Sequence, residues 1–259
     1  MQYIEIERQD KIGVIYLNSP HNRNALSSGL LAEMSDALDA FAAEERIVTV
    51  IANKAVSNVW SAGHDINELE SDGIDPLHYA NSLENILRKI ETYPGVVIAA
   101  IHGSVWGGAC DLAITCDMII ADDTATFAIT PAKLGIAYNT WGVLHFINKL
   151  PLNIAKEMFF TAEPISAERA LRVGLINHFI RHENFRAKVE EICQTIVSRA
   201  PLSIRLFKEQ FRTLTNAATI SPEDFERLQE LRRRVYRSDD YKEGINSFFE
   251  KRKPNFKGK

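Results

Sequence analysis

The stretch from Val96 to Asp111 constrains this chain most. In it an apolar, strand-like run, Val96 to His102, meets the start of a helix through the glycine turn Gly103-Ser104-Val105-Trp106-Gly107-Gly108. Glycine removes the side chain that would keep a ligand from the main chain, and a helix start leaves N–H groups unpaired and partly positive. Such a turn can hold an anion or a developing oxyanion. Taken alone, it fits equally well a turn that uses glycine only to turn. The pattern recurs upstream, where the β-branched run Ile47 to Ala52 is followed by Val59-Trp60-Ser61-Ala62-Gly63-His64-Asp65-Ile66.

Around these two loops the chain alternates strands and helices. Tyr3 to Arg8 alternates apolar and charged residues, and the run Ile12 to Leu17 completes a hairpin. A helix follows on the spacing of Leu30, Leu31, Met34, Leu38 and Phe41, with Ser27 or Ser28 as N-cap. A second helix is expected from about Pro76 to Glu91, and further short strands over Asp117 to Ala121 and Ala125 to Ile129. Thr130 to Asn139 resists regular structure. From Pro151 the pattern is helical: Ile154 to Thr161, Ser166 to Val173, an apolar return over Leu175 to Ile180, then Glu183 to Arg199. Beyond Pro201 three helices are expected, over Leu202 to Ala218, Pro222 to Tyr236 and Asp239 to Lys251. The organisation is therefore an α/β core over residues 1–200, built from crossover units, and a helical C-terminal region over 201–259.

Composition excludes several classes of function. The chain has 259 residues, 46% of them hydrophobic and 25% charged, which excludes wholesale disorder. Its longest apolar run, Val96 to Ile101, cannot span a bilayer, and MQYIEIERQDKIGV has no basic region leading into an apolar one. No membrane partner and a cytoplasmic location are expected. Three cysteines, Cys110, Cys116 and Cys193, lack the paired spacing of a zinc site, so buried reduced thiols and no metal are expected. The net charge of −4 argues against a nucleic-acid partner. The tail is nevertheless basic, with Lys251, Arg252, Lys253, Lys257 and Lys259.

Two glycine loops at strand ends, Ala62-Gly63-His64 and Gly107-Gly108-Ala109, could each aim a backbone N–H at one carbonyl oxygen. A pair of such donors forms an oxyanion hole. The chain has no G-x-S-x-G nucleophile turn and no catalytic cysteine signature, which favours enolate chemistry over covalent acyl transfer.

With these loops, Thr126-Phe127, Leu134-Gly135 and Ala167-x-x-Ala170-Leu171-x-x-Gly174-Leu175, the chain resembles the crotonase, or enoyl-CoA hydratase/isomerase, superfamily over essentially its full length. The resemblance implies a spiral of strand-strand-helix repeats with a C-terminal helical trimerisation region. It also implies a homotrimer or dimer of trimers and an acyl-CoA thioester substrate, coenzyme A being part of the substrate and no separate cofactor being needed. It puts the oxyanion donors on the N–H groups of His64 and Gly108, with Ala62, Gly63, Asp65 and Ile66 around the thioester. Lys251 matches the position that meets CoA phosphates, sometimes across a subunit boundary, and Arg23 could assist there.

The departures from the superfamily pattern point to the reaction. Where hydratases carry two glutamates, this chain has Asp111 and Pro131, and proline cannot transfer a proton. The strings at 61–69 and 103–109, Thr130-Pro131, Tyr138-Asn139 and Phe249 to Phe256 resemble a decarboxylating branch of the superfamily. That resemblance implies conversion of methylmalonyl-CoA, and by extension malonyl-CoA, to the decarboxylated thioester without biotin or metal. Tyr138 would orient the departing carboxylate and Thr130 would sit beside the acyl group. Water or Asp111 would protonate the enolate. Two other readings remain: a hydratase or isomerase using Asp111 alone, and a non-enzymatic protein, either a catalytically inactive acyl-CoA binder or a moonlighting RNA binder. As an isolated residue, Tyr138 would be read as packing, Asp111 as a helix-dipole acid, Trp106 as a filler beside the glycines, and Asp65 as a loop anchor.

Overall fold

Ile4–Gln9 (β1) and Ile12–Leu17 (β2) pair antiparallel across a turn at Asp10, which takes a positive φ of 46°, as the alternating pattern predicts. The computed structural model describes residues 1–54, 58–69, 80–215 and 221–258. Ser28–Ala43 (α1) follows, its Ser27 side chain accepting from Leu30 N and its Leu30, Leu31, Met34, Ala37, Leu38 and Phe41 buried. Next come Val48–Asn53 (β3), Val59–Ser61 (β4), Ser82–Thr92 (α2), Val96–Ile101 (β5), Ser104–Trp106 (β6) and Gly108–Thr115 (α3). Met118–Asp122 (β7) and Thr126–Ala128 (β8) lead to a 3-10 turn at Pro131–Leu134, and then to Thr140–Lys149 (α4) and Leu152–Thr161 (α5). Ile165–Ser166 (β9), Ala167–Arg172 (α6), His178–Ile180 (β10) and Phe185–Val197 (α7) close the core, and Pro201–Thr215 (α8), Pro222–Tyr236 (α9) and Asp239–Phe249 (α10) complete the chain.

The described strands form two sheets, ordered β1-β2-β3-β5-β7-β10 and β4-β6-β8-β9. After the opening hairpin, each repeat gives its first strand to the larger sheet and its second to the smaller. Thus β3, β5 and β7 run parallel in one sheet while β4, β6 and β8 run parallel in the other. The central strands of the larger sheet are largely buried on both faces and, apart from Thr49 and Asn53 in β3, apolar, as expected of parallel strands between layers. This is the expected spiral of strand-strand-helix repeats, and Cys110, Cys116 and Cys193 are the free, buried thiols expected.

Three readings shift in detail. The strand at Val96 does not run directly into the helix: Gly103, at φ +80°, turns the chain into β6 first. Its α-hydrogen faces the Asn58 carbonyl, where a side chain would clash. Three residues are too few for a period to register. Helix α4 is the second, unread because its apolar positions are interrupted by Gly142 and His145. The third is the expected helix from Pro76, of which Ser82–Thr92 is seen; its first residues, like the end of the one expected to reach Ala218, lie outside the described residues.

The C-terminal helices brace the irregular segment that follows β8. Tyr236 donates its hydroxyl to the Ala137 carbonyl at 2.7 Å, and a Cβ on Gly135 would come within 2.6 Å of the Asp240 carbonyl oxygen. Gly244 in α10 lies so close to the Leu134 carbonyl that any side chain would overlap it. Gly244→Ala is therefore expected to destabilise the fold by about 1–3 kcal/mol, the usual cost of overpacking. Urea denaturation checks this, and an unchanged midpoint would show that α10 does not hold this segment.

Candidate active site

Parallel neighbours end side by side, and this brings the two glycine loops together. Ser61 and Val105 are register partners in β4 and β6, and Trp106 pairs with Ala128 in β8. The loops leaving the three strand ends therefore adjoin. Gly63, at φ +86°, faces the Trp106 carbonyl, and a Cβ there would also stand 3.1 Å from Gly108 N. A Cβ on Gly108 would stand 3.4 Å from His64 N, so the two amides are neighbours. Neither amide donates to a protein acceptor among the described residues, while Gly107 N is taken by the Ala128 carbonyl at 2.8 Å. Gly108 opens α3, where no intrahelical acceptor exists for its N–H.

The upstream polar loop fixes the first of these glycine turns. Ala62 N donates to the Arg23 carbonyl at 3.0 Å, Leu26 N to the Gly63 carbonyl at 2.8 Å, and Ser61 Oγ to the Asn24 carbonyl at 2.7 Å. Arg23 thus serves this site through its backbone. Asp65 caps the 3-10 turn Ile66–Glu68, accepting from Asn67 N at 3.0 Å, the anchoring role weighed for it above. Lys251 lies just beyond α10 at φ +54° and is exposed.

Thr130 follows β8, its Oγ1 3.0 Å from where a Cβ on Gly107 would stand. Tyr138 is wedged edge-on against Phe159 and Phe146, with ring centroids 5.0 and 6.2 Å away. Its hydroxyl is buried and has no hydrogen-bond partner among the described residues, as does His64 Nδ1. Such atoms are candidates for contact with a ligand, because buried polar groups are otherwise paired. Burial, then the nearby charge of Asp111, raises the Tyr138 pKa well above its ordinary value, so the phenol remains a donor. Burial lowers the His64 pKa, against the charges of Glu68 and Asp65.

Asp111, 1% exposed, sits one turn along α3 from Gly108. Its partners were not legible in sequence. His145 Nδ1 lies 2.6 Å from Asp111 Oδ1, and His145 Nε2 lies 3.4 Å from Glu91. Glu84, 4% exposed, accepts from the Asn139 amide, whose oxygen in turn caps α4 at Gly142 N. Gly142 leaves the gap through which Asp111 and Tyr138 meet: a Cβ there would lie 2.5 Å from Asp111 Oδ2 and would overlap the Tyr138 ring. Burial opposes charge on His145, but its bonds to Asp111 and Glu91 prevail and push its pKa up to about 10. Burial, and then the charge of Asp111, pushes Glu84 from 4.5 up to about 7. One faint signal was available: Glu84, Leu87 and Glu91 share a helix face.

These shifts have a definite sign. Between pH 4.5 and about 7 the folded chain keeps a proton on Glu84 that the unfolded chain has lost, so stability falls as pH rises through that window. His145 acts the same way between 6.5 and about 10. Glu84→Gln should flatten the lower window, the effect being capped at roughly 3 kcal/mol. Urea unfolding of both proteins at either end of the window is the check. Equal slopes would contradict the assignment.

Comparison with known proteins adds the following. The family model for enoyl-CoA hydratase/isomerase matches residues 7–259. The chain is 42% identical over 257 residues to methylmalonyl-CoA decarboxylase of Escherichia coli K12, covering 99% of this chain and 98% of that one. It is 30% identical over 249 residues to a short-chain-enoyl-CoA hydratase of Clostridium acetobutylicum, covering 96% and 95%. Among solved structures it matches methylmalonyl-CoA decarboxylase in complex with 2-nitronate-propionyl-CoA, with a TM-score of 0.98 at 41% identity, over 100% of this chain and 99% of that one.

Proposed function

The chain belongs to the enoyl-CoA hydratase/isomerase family, and from that premise we propose that it decarboxylates methylmalonyl-CoA, and by the same chemistry malonyl-CoA. The observation that carries this reading is that the free amides of His64 and Gly108 adjoin, with Thr130 beside Gly107; the buried, unpaired hydroxyl of Tyr138 supports it. The thioester carbonyl oxygen accepts from the two amides. The substrate carboxylate is held by Tyr138 out of the thioester plane, with Thr130 beside it, so that the breaking C–C bond overlaps the carbonyl. That bond's electron pair moves into the carbonyl to form an enolate, and carbon dioxide departs. The amides stabilise the charge as it develops. Water or Asp111 then returns a proton to the α carbon and gives propionyl-CoA.

Because the thioester is itself the electron sink, the step needs no biotin or metal. Pro131 supports the reading in a second way, since the glutamate expected there in a hydratase would repel the substrate carboxylate. Asp111, which stands where a hydratase carries its first glutamate, is held by His145.

Ala62, Gly63, Asp65 and Ile66 form the wall around the thioester, and Lys251 meets the CoA phosphates. That assignment goes with a homotrimer or a dimer of trimers. Helix α8 supports assembly: it buries none of its residues, and Leu206, Phe207, Phe211 and Leu214 are 53–72% exposed. No helix among the described residues is long and apolar enough to cross a membrane, which accords with a cytoplasmic enzyme. Incubation with methylmalonyl-CoA, malonyl-CoA and crotonyl-CoA in parallel tests the function. Decarboxylation of the first two is expected. Hydration of crotonyl-CoA alone would overturn the reading, and binding without turnover would favour an inactive acyl-CoA carrier.

A further inference from the structure

At the carboxyl ends of three adjacent parallel strands, β5, β7 and β10, the chain places His102, Asp122 and His182. Both imidazole Nδ1 atoms point to one oxygen: His102 lies 2.6 Å and His182 2.7 Å from Asp122 Oδ2. Asp122 is fully buried, and its other oxygen is occupied by Thr124 N at 3.0 Å and Thr124 Oγ1 at 2.6 Å. The carboxylate is therefore fixed in orientation, with a single oxygen left for the two histidines.

We propose that His102, Asp122 and His182 form a binding site for a divalent transition-metal ion of the zinc class, separate from the thioester site. The three candidate ligand atoms lie within 4.8 Å of one another. Two imidazole nitrogens and one carboxylate oxygen suit a borderline cation, whereas magnesium and calcium prefer oxygen alone. The Thr124 bonds to Asp122 are the outer support that metal-binding carboxylates usually have. Tetrahedral coordination at zinc distances sets ligands ~3.3 Å apart, slightly wider than the 2.6 and 2.7 Å between each Nδ1 and Asp122 Oδ2. His182 can supply that opening, because its side chain is 55% exposed and sits on the 3-10 turn His182–Asn184 rather than in a strand. Three protein ligands leave a fourth position, and both histidines line a cavity of about 680 Å³ between the larger sheet and α7 with room for water or an anion there. Entry of the ion at Nδ1 moves each displaced proton to the Nε2 of the same ring, and only a ring charged beforehand gives a proton up to buffer. The bound ion would tie β5, β7 and β10 together at one edge.

Calorimetric titration of chelator-stripped protein with Zn²⁺, repeated with Mg²⁺, tests the site. One equivalent of Zn²⁺ per chain is expected, with a rise in Tm and no saturable Mg²⁺ uptake. His182→Ala, at an exposed position outside the strands, should weaken Zn²⁺ binding at least about 100-fold and abolish the Tm rise. Co²⁺ in place of Zn²⁺ should give the absorption of a tetrahedral complex in the wild type and lose it in the variant. Absence of stoichiometric Zn²⁺ uptake, or uptake unaffected by His182→Ala, would overturn the proposal.

Discussion

Gly63→Ala should lower kcat for methylmalonyl-CoA by ~10²–10³, the usual cost of losing one oxyanion donor. Gly63 holds φ at +86°, a conformation an L side chain rarely adopts, with its α-hydrogen against the Trp106 carbonyl. A methyl group there must push the two loops apart. The amide of the next residue, His64, then moves away from Gly108 N, and one of the two donors loses its aim. The loss falls on kcat because the amides bind the enolate oxygen more strongly than the ground-state carbonyl. Binding of propionyl-CoA should change far less. Steady-state kinetics beside product binding separates the two, and a loss confined to binding would contradict an oxyanion role.

Tyr138→Phe should cost roughly 10–100-fold in kcat with little change in KM, in line with misorientation of a reacting group. The ring is held by Phe146 and Phe159, so removing the hydroxyl leaves the aromatic packing intact. That hydroxyl has no partner among the described residues, so its removal should not destabilise the fold. An unchanged Tm with reduced turnover is the expected pattern. Equal rates would remove Tyr138 from the mechanism, and a lower Tm would make it a packing residue.

The sequence singles out both residues, for different reasons. Gly63, Gly107 and Gly108 stood at strand ends, where glycine has a backbone meaning. Tyr138 was legible only through the motif around it. What the residues could not reveal was how close the loops come, because that depends on the three-residue strands β4, β6 and β8 lying side by side in one sheet. Periodicity is blind to strands that short. The network behind Asp111 was hidden for a related reason. Glu84, His145 and Asn139 come from α2 and α4 and its cap, and they meet Asp111 only through tertiary packing. Glu84 reads in sequence as an ordinary helix-surface acid. Only its burial and the adjacent Asp111 make it titrate near neutral pH.

The structure also changes how the chain's second half bears on the first. Leu134, Gly135 and Ala137 are held by α9 and α10, so the segment carrying Thr130 and Tyr138 is positioned from the far end of the chain. Lys208 on α8 reaches back as well, donating to the Ile90 and Gly95 carbonyls and to Asp117 at 2.7–3.1 Å.

The most direct measurement is a single-turnover reaction of the purified protein with methylmalonyl-CoA in deuterated water, followed by mass analysis of the thioester. Loss of carbon dioxide through an enolate predicts propionyl-CoA carrying one solvent deuterium at its α carbon, formed at a rate that falls with Gly63→Ala. Recovery of methylmalonyl-CoA unchanged, under conditions where crotonyl-CoA is hydrated, would contradict it.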